Sequence, residues 1–207
     1  MTAEIITKIL FLIAVVDPLG SVPVFLEATK HFDRSYKKKI AIRASLLSFL
    51  IFVFFIFMGQ LILEGMDVSM AAFEISGGVI LFLFALTMIF GEGKPESEIH
   101  MIKDYKHVTV FPVAIPSIAS PGAIMAVVLM TDNTIYTIKQ QVVTTFLVLV
   151  VVLFTMSLLL MAHKIQKHVG EYGITVISKV MGLILASYAV QSILSGLKDF
   201  FFVSMEQ

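Results

Sequence analysis

Residues 5–28 read IITKILFLIAVVDPLGSVPVFLEA, an apolar run of membrane-spanning length interrupted by Asp17-Pro18-Leu19-Gly20-Ser21-Val22-Pro23. Pro18 and Pro23 lack an N–H and clash with the preceding turn, and Gly20 accepts a positive φ. The stretch therefore predicts a helix that breaks at Asp17 and restarts near Ser21. About twelve residues lie on either side of Asp17, roughly 18 Å of helix each way, so the break falls near the middle of a bilayer.

The rest of the chain fits the same surroundings. With 207 residues, 58% of them hydrophobic and 14% charged, and a mean hydropathy of +0.96, it carries more apolar surface than one soluble core can hide. Its apolar runs are continuous rather than alternating, so helices and not barrel strands cross the lipid. Further spans are predicted at residues 43–63, 70–90, 109–131, 142–162 and 174–197, giving an all-α, six-helix polytopic membrane protein. Fifteen basic residues against fifteen acidic ones argue against a nucleic-acid partner, and the absence of cysteine removes disulfides and thiolate metal sites. Glu4, Lys8 and the central Asp17-Pro18, with no small-residue cleavage site after them, predict that the first segment is kept as a span. Tyr36, Tyr105, Tyr136 and Tyr172 fall near the expected span ends, at headgroup level.

Basic residues set the expected orientation. Lys30, Arg34, Lys37, Lys38, Lys39 and Arg43 occupy the first connection, Lys94, Lys103 and Lys106 the third, and Lys164, Lys167 and Lys179 the fifth, whereas Lys8, Lys139 and Lys198 are alone on the other side. Twelve against three places the odd connections in the cytoplasm and both termini outside.

The polar stretch 92–108 reads as a cytoplasmic linker between two three-span units, 1–91 and 109–207. Gly78, Ile80, Leu81, Ala85 and Ile89 recur as Gly182, Ile184, Leu185, Ala189 and Ile193, an offset of 104, and Pro18 recurs as Pro121. Three crossings per unit bring the second unit in from the opposite side, so the two form inverted repeats. The break in the first span has its counterpart in the fourth, Pro116-Ser117-Ile118-Ala119-Ser120-Pro121-Gly122-Ala123.

Unwound backbone at that depth is tolerated where it is buried in protein or lines a wet cavity. Two facing breaks would offer N–H groups and positive helix ends near Gly20, Ser21, Gly122 and Ala123 to a carboxylate. Carbonyls at Val15, Val16, Ser117 and Ile118 would suit a cation or an ammonium group, and Ser21 and Ser120 add hydroxyls. Asp17 is the acidic residue placed nearest a span centre, where a carboxylate costs about 2.5 to 3.5 kcal/mol on insertion scales. It either carries a coupling H⁺ or Na⁺ or caps the second half-helix, and the two roles are compatible. The plainer alternative is that the prolines are packing kinks, their released carbonyls satisfied by Ser or Thr of neighbouring helices.

In the last span Ser178, Gly182 and Ala186, and again Ser192 and Gly196, repeat every fourth residue and predict a close-packing face. Tyr188 and Gln191 suit either a cavity wall or a bond to a neighbouring helix. The run from Phe49 to Phe57 is expected to face lipid, and the histidines, His31, His100, His107, His163 and His168, to be solvated. No phosphate loop, HExxH motif, second central Asp or deep histidine equips the chain for catalysis, so no enzyme activity, cofactor or metal is expected.

Asp17-Pro18-Leu19-Gly20-Ser21-Val22-Pro23-Val24-Phe25-Leu26 resembles the first-span signature of the MarC family of bacterial and archaeal membrane proteins. The likeness continues in Ile75-Ser76-Gly77-Gly78-Val79-Ile80-Leu81, in Ala114-Ile115-Pro116 with Ser120-Pro121-Gly122-Ala123-Ile124, and in Met181-Gly182-Leu183-Ile184-Leu185. The resemblance implies a six-helix inner-membrane protein of the LysE-like superfamily. It also implies symport of small neutral amino acids such as glycine and alanine with H⁺ or Na⁺, as attributed to some relatives, one half rocking against the other. The family pattern admits Asn at the position of Asp17, which argues against an obligatory proton carrier there. Set beside this reading are a non-transporting scaffold or regulatory protein, and an exporter or channel for another small metabolite. An oligomer is compatible with the sequence.

Overall fold

The computed structural model describes residues 2–90, 104–133 and 135–203, which form helices and turns with no strand among them. Helix α1 spans Thr2–Val16, α2 Ser21–Ala28, α3 Arg34–Gly65 and α4 Met70–Phe90. A short α5, Tyr105–Val108, runs into an irregularly wound segment, Thr109–Ile118, followed by α6 (Pro121–Leu129), α7 (Ile138–Leu160) and α8 (Ala162–Val203). Five stretches, Glu4–Ala28, Arg34–Gly65, Met70–Phe90, Ile138–Leu160 and Tyr172–Phe201, are long and apolar enough to cross a bilayer. The pair Tyr105–Ile118 and Pro121–Leu129, bent by 54°, makes six when it is taken as one span.

The helices outrun the apolar windows that identify them. The second begins at Arg34, well before residue 43, because hydropathy detects the stretch that must avoid water, and the cationic turns above it are helical too. Of the linker expected at 92–108, residues 92–103 lie outside the described residues. Tyr105–Val108 is not linker but the start of the fourth span, capped by Asp104, whose carboxylate accepts the Lys106 N–H at 3.0 Å. Helix α8 is interrupted at Gly170, whose φ of 72° and ψ of 165° suit only glycine, and its apolar part follows from Tyr172.

The two breaks lie inside. Helix α2 packs on Thr109–Ile118 and α6 on α1, while α3, α4, α7 and α8 surround them. Val15, Val16, Val22, Val113, Ala114, Ile118, Ala119 and Ala123 are all buried in the resulting core. Interrupted backbone exposes peptide groups that hydrocarbon cannot solvate, so the breaks take the protected positions and the unbroken helices meet the lipid.

Helices α4 and α8 approach closely along their length. A Cβ on Gly78 would stand 2.9 Å from the Ala189 carbonyl and 3.1 Å from the Ile193 nitrogen, and one on Gly182 3.1 Å from the Ala85 carbonyl and from Ile89 Cγ1. Gly196 likewise meets the Ala71 carbonyl at 2.9 Å. Small residues let two backbones touch, the means by which helices associate in a solvent as apolar as their side chains. The Phe49–Phe57 run divides: Phe54 and Phe57 are exposed, but Phe52 is fully buried, because its helix face also carries Ala41, Ala44 and Ser48.

Candidate functional site

At the first break Asp17 takes a φ of 47°, the left-handed region that Asp enters more readily than most residues. Gly20 keeps a helical φ of −65°, so its expected positive φ is not used and the glycine serves space instead. A Cβ there would lie 1.8 Å from Asp17 Oδ2. The bare Cα lets the Asp17 carboxylate fold over the start of α2, where Oδ1 accepts the Gly20 N–H at 3.0 Å. Pro23 is the third residue of α2, where its missing N–H costs nothing.

The second break is longer than the first and longer than residues 116–123. Phe111 and Ile115 have extended dihedrals, φ −126° with ψ 127° and φ −127° with ψ 128°, each immediately before a proline, which crowds its predecessor out of the helical region. Winding recovers only through wide turns, such as the bond from the Ala119 N–H to the Ala114 carbonyl at 2.8 Å. Helix α6 then starts cleanly, with Ser120 as its cap accepting the Ala123 N–H at 3.0 Å and Pro121 in its first turn.

The breaks meet. Ser21 Oγ lies 3.0 Å from the Ser117 carbonyl of the second break and 3.1 Å from the Asp17 carbonyl of its own, so its single hydrogen is shared between the two. Ser48 on α3 does the same for the second break, its hydroxyl lying 2.9 Å from the Ala44 carbonyl and 3.2 Å from that of Ala114. Asp17 is 4% exposed, and Ser21, Ser117, Ser120 and Ala123 are each 1% exposed. Gly122 is sealed by Leu81 of α4, whose Cδ2 would touch a Cβ at 2.9 Å.

Of the residues expected to bind solute, Asp17, Gly20, Ser21, Ser117, Ser120, Gly122 and Ala123 all lie at the two breaks, with Val15 and Val16 buried at the end of α1. The Ser117 carbonyl, expected to be available to a cation, is engaged by Ser21 in this conformation. The Gly20 and Ala123 amides, expected for a carboxylate, are likewise held by Asp17 and Ser120. Ser120 still has its own hydroxyl hydrogen to give, since it accepts in that cap. Beside the second break an apolar cavity of about 310 Å³ separates α3, α4 and α6 and reaches Ile115, Ala119 and Pro121.

Two polar features escaped the sequence reading. Ser48 could have been found, since Ala41, Ala44, Ser45 and Ser48 form a small-residue face like that of the last span. Asp132 is 1% exposed, yet its place after an apolar run reads only as a turn, which it also makes by accepting the Ile135 and Tyr136 N–H groups at 3.2 and 2.8 Å. Around it gather Tyr136 and Lys8, whose ammonium stands 4.6 Å from the Tyr136 ring and 3.5 Å from Glu4. Burial, then the charges of Glu4, Asp132 and Glu74, push the Tyr136 phenol above its ordinary range. Tyr188 stacks on Phe11 of α1 with centroids 3.9 Å apart, whereas Gln191 lies on the outward face of α8.

Comparison with known proteins agrees with this architecture. A UPF0056 membrane protein of Pyrococcus horikoshii is 33% identical over 91% of both chains. One from Buchnera aphidicola of Baizongia pistaciae is 30% identical over 97% of this chain and 99% of its own. The UPF0056 inner membrane protein YhgN of Escherichia coli K12 is 31% identical, over 94% of this chain and 96% of its own. No solved structure gives a significant match. The family described as MarC family integral membrane protein matches residues 2–201, and the chain belongs to it.

Proposed function

We propose that this protein is a secondary transporter of small neutral amino acids of the glycine and alanine kind, coupled to H⁺ or Na⁺, and not an enzyme. The observation that carries the reading is the junction of the two breaks at the buried Ser21 and Ser117, 3.0 Å apart. A solute arriving there replaces the protein's own hydrogen bonds at Ser21, Gly20 and Ala123 with its own. Its carboxylate takes the Ser21 hydroxyl and the amides at Gly20, Gly122 and Ala123, and its ammonium or the coupling cation takes Asp17 and the Val15 and Val16 carbonyls. The apolar cavity beside Ala119 and Pro121 leaves room for a small aliphatic side chain.

Two inverted units, 1–91 and 109–207, belong to the same proposal. Gly78 meets Ala189 and Ile193, and Gly182 meets Ala85 and Ile89. An offset of 104 turns the first set of contacts into the second, the reciprocity that a two-fold axis imposes. The caps repeat as well, Asp17 to Gly20 and Ser120 to Ala123. In this reading the protein lies in an inner, plasma-type membrane, as the name of the Escherichia coli relative has it for that protein, and the distribution of basic residues puts both termini outside.

A second reading, a non-transporting scaffold, is favoured by one specific observation: Ser21 satisfies the Ser117 carbonyl, which Pro121 leaves without its helical donor, inside a sealed junction. Counterflow separates the two. Purified protein in liposomes loaded with alanine should accumulate labelled glycine or alanine faster under a Na⁺ or pH gradient, and Ser21→Ala should slow it at least severalfold. Folded protein that exchanges nothing across a broad metabolite panel would leave the scaffold as the answer.

A further inference from the structure

Lys39 Nζ stands 5.3 Å from the Tyr36 ring, Tyr36 lies 5.3 Å from Tyr105, and Arg43 Cζ stands 5.6 Å from the Tyr105 ring. Arg43 Nη1 donates to the Tyr105 hydroxyl at 3.2 Å. Two cations thus flank a pair of rings tilted 46° to each other, joining the first turns of α3 to α5, where the bent pair begins. Among the described residues no carboxylate pairs with Lys39 or Arg43. Both are exposed, and Arg34 and Lys38 repeat the same four-residue spacing, so like charges are stacked along the helix with no ion pair to a carboxylate among the described residues.

The exposed face below the cations is apolar. Residues 39, 43, 46 and 50 share one face of α3, and Leu46 and Leu50 are 56% and 54% exposed. On the neighbouring span Lys106 is followed four residues later by Val110, also exposed. Both elements therefore run from cation to hydrocarbon-facing side chain in the same sense. The rule that cations gather on one side of a membrane explains their number, but not their pairing with two rings across two spans.

We propose that this seam binds an anionic phospholipid of the leaflet it faces. The phosphate sits between Lys39 and Arg43, with Lys106 near the entrance, and one acyl chain lies along Leu46 and Leu50. Arg43 uses one of its five N–H donors on Tyr105 and keeps the others for phosphate oxygens. The lipid ties α3 to the segment that leads into the second break.

Native mass spectrometry of the full chain released from nanodiscs tests this, with phosphatidylglycerol as probe against phosphatidylcholine. The wild-type protein should retain phosphatidylglycerol preferentially, and Lys39→Gln with Arg43→Gln should weaken that retention about thirtyfold, the effect of removing two surface cations. Lys164→Gln with Lys167→Gln removes the same charge elsewhere and should leave it unchanged. Arg43→Lys, which keeps the charge, should recover most of the binding, which guards against a folding defect. Equal retention by the first pair and the wild type, or equal loss in both pairs, would overturn the proposal.

Discussion

Gly20 shows how far a residue type can be read without its surroundings. Proline and glycine at positions 18, 20 and 23 announce an interruption, and the helices do stop at Val16 and restart at Ser21. What they do not announce is that Asp17 bears the left-handed turn while glycine makes room for its carboxylate. Backbone breakage is written in local sterics, whereas the division of labour depends on where a side chain folds back. Gly20→Ala should therefore cost more than an ordinary surface change, about 1–3 kcal/mol, because the Asp17 carboxylate must leave and the cap is lost. Thermal unfolding in detergent measures it, and Gly65→Ala, at a site with no atom within 4 Å, is the control that should be neutral. Asp17→Asn keeps an acceptor over α2 and should unfold close to wild type; a marked loss there would mean that the charge, not the cap, holds the break together.

At the scale of elements, the small residues of the last span were legible as a packing face, since spacing by four puts Ser178, Gly182 and Ala186, and again Ser192 and Gly196, on one side, and Gly182 and Gly196 do press on another helix. Their partner was not, because nothing local tells one apolar helix from another. The structure supplies it in α4, and the pairing leads to a prediction. Gly78→Ala and Gly182→Ala each press a methyl against a backbone carbonyl that cannot rotate away, so each should destabilise by about 1–3 kcal/mol. If only one of the two matters, the contact is not reciprocal and the two-fold reading fails. The second break was read too short because Pro112 lay outside the window that drew attention, and its effect on Phe111 lengthens the irregular segment by more than a turn.

For the molecule as a whole, hydropathy alone was enough to find the five helices of spanning length and the bent pair that makes a sixth when taken as one span, because lipid permits so few backbone solutions. The closed state of the junction was not legible, since donors and acceptors in a sequence look the same whether they grip a solute or each other. Orientation has a direct test, which the absence of cysteine makes easy. With the odd connections in the cytoplasm, a cysteine placed by Asp67→Cys should react in intact cells with a membrane-impermeant maleimide. One placed by Asp33→Cys should react only after lysis. The opposite pattern would invert the topology.

The glycine contacts between α4 and α8 bear on how such a molecule could move. Backbone pressed so near to backbone leaves little that can yield, so α4 and α8, one from each half of the chain, form a clasp that resists sliding. Whatever opens the centre must then swing the interrupted helices within a stationary frame, and a disulfide drawn across that clasp would leave the working parts free.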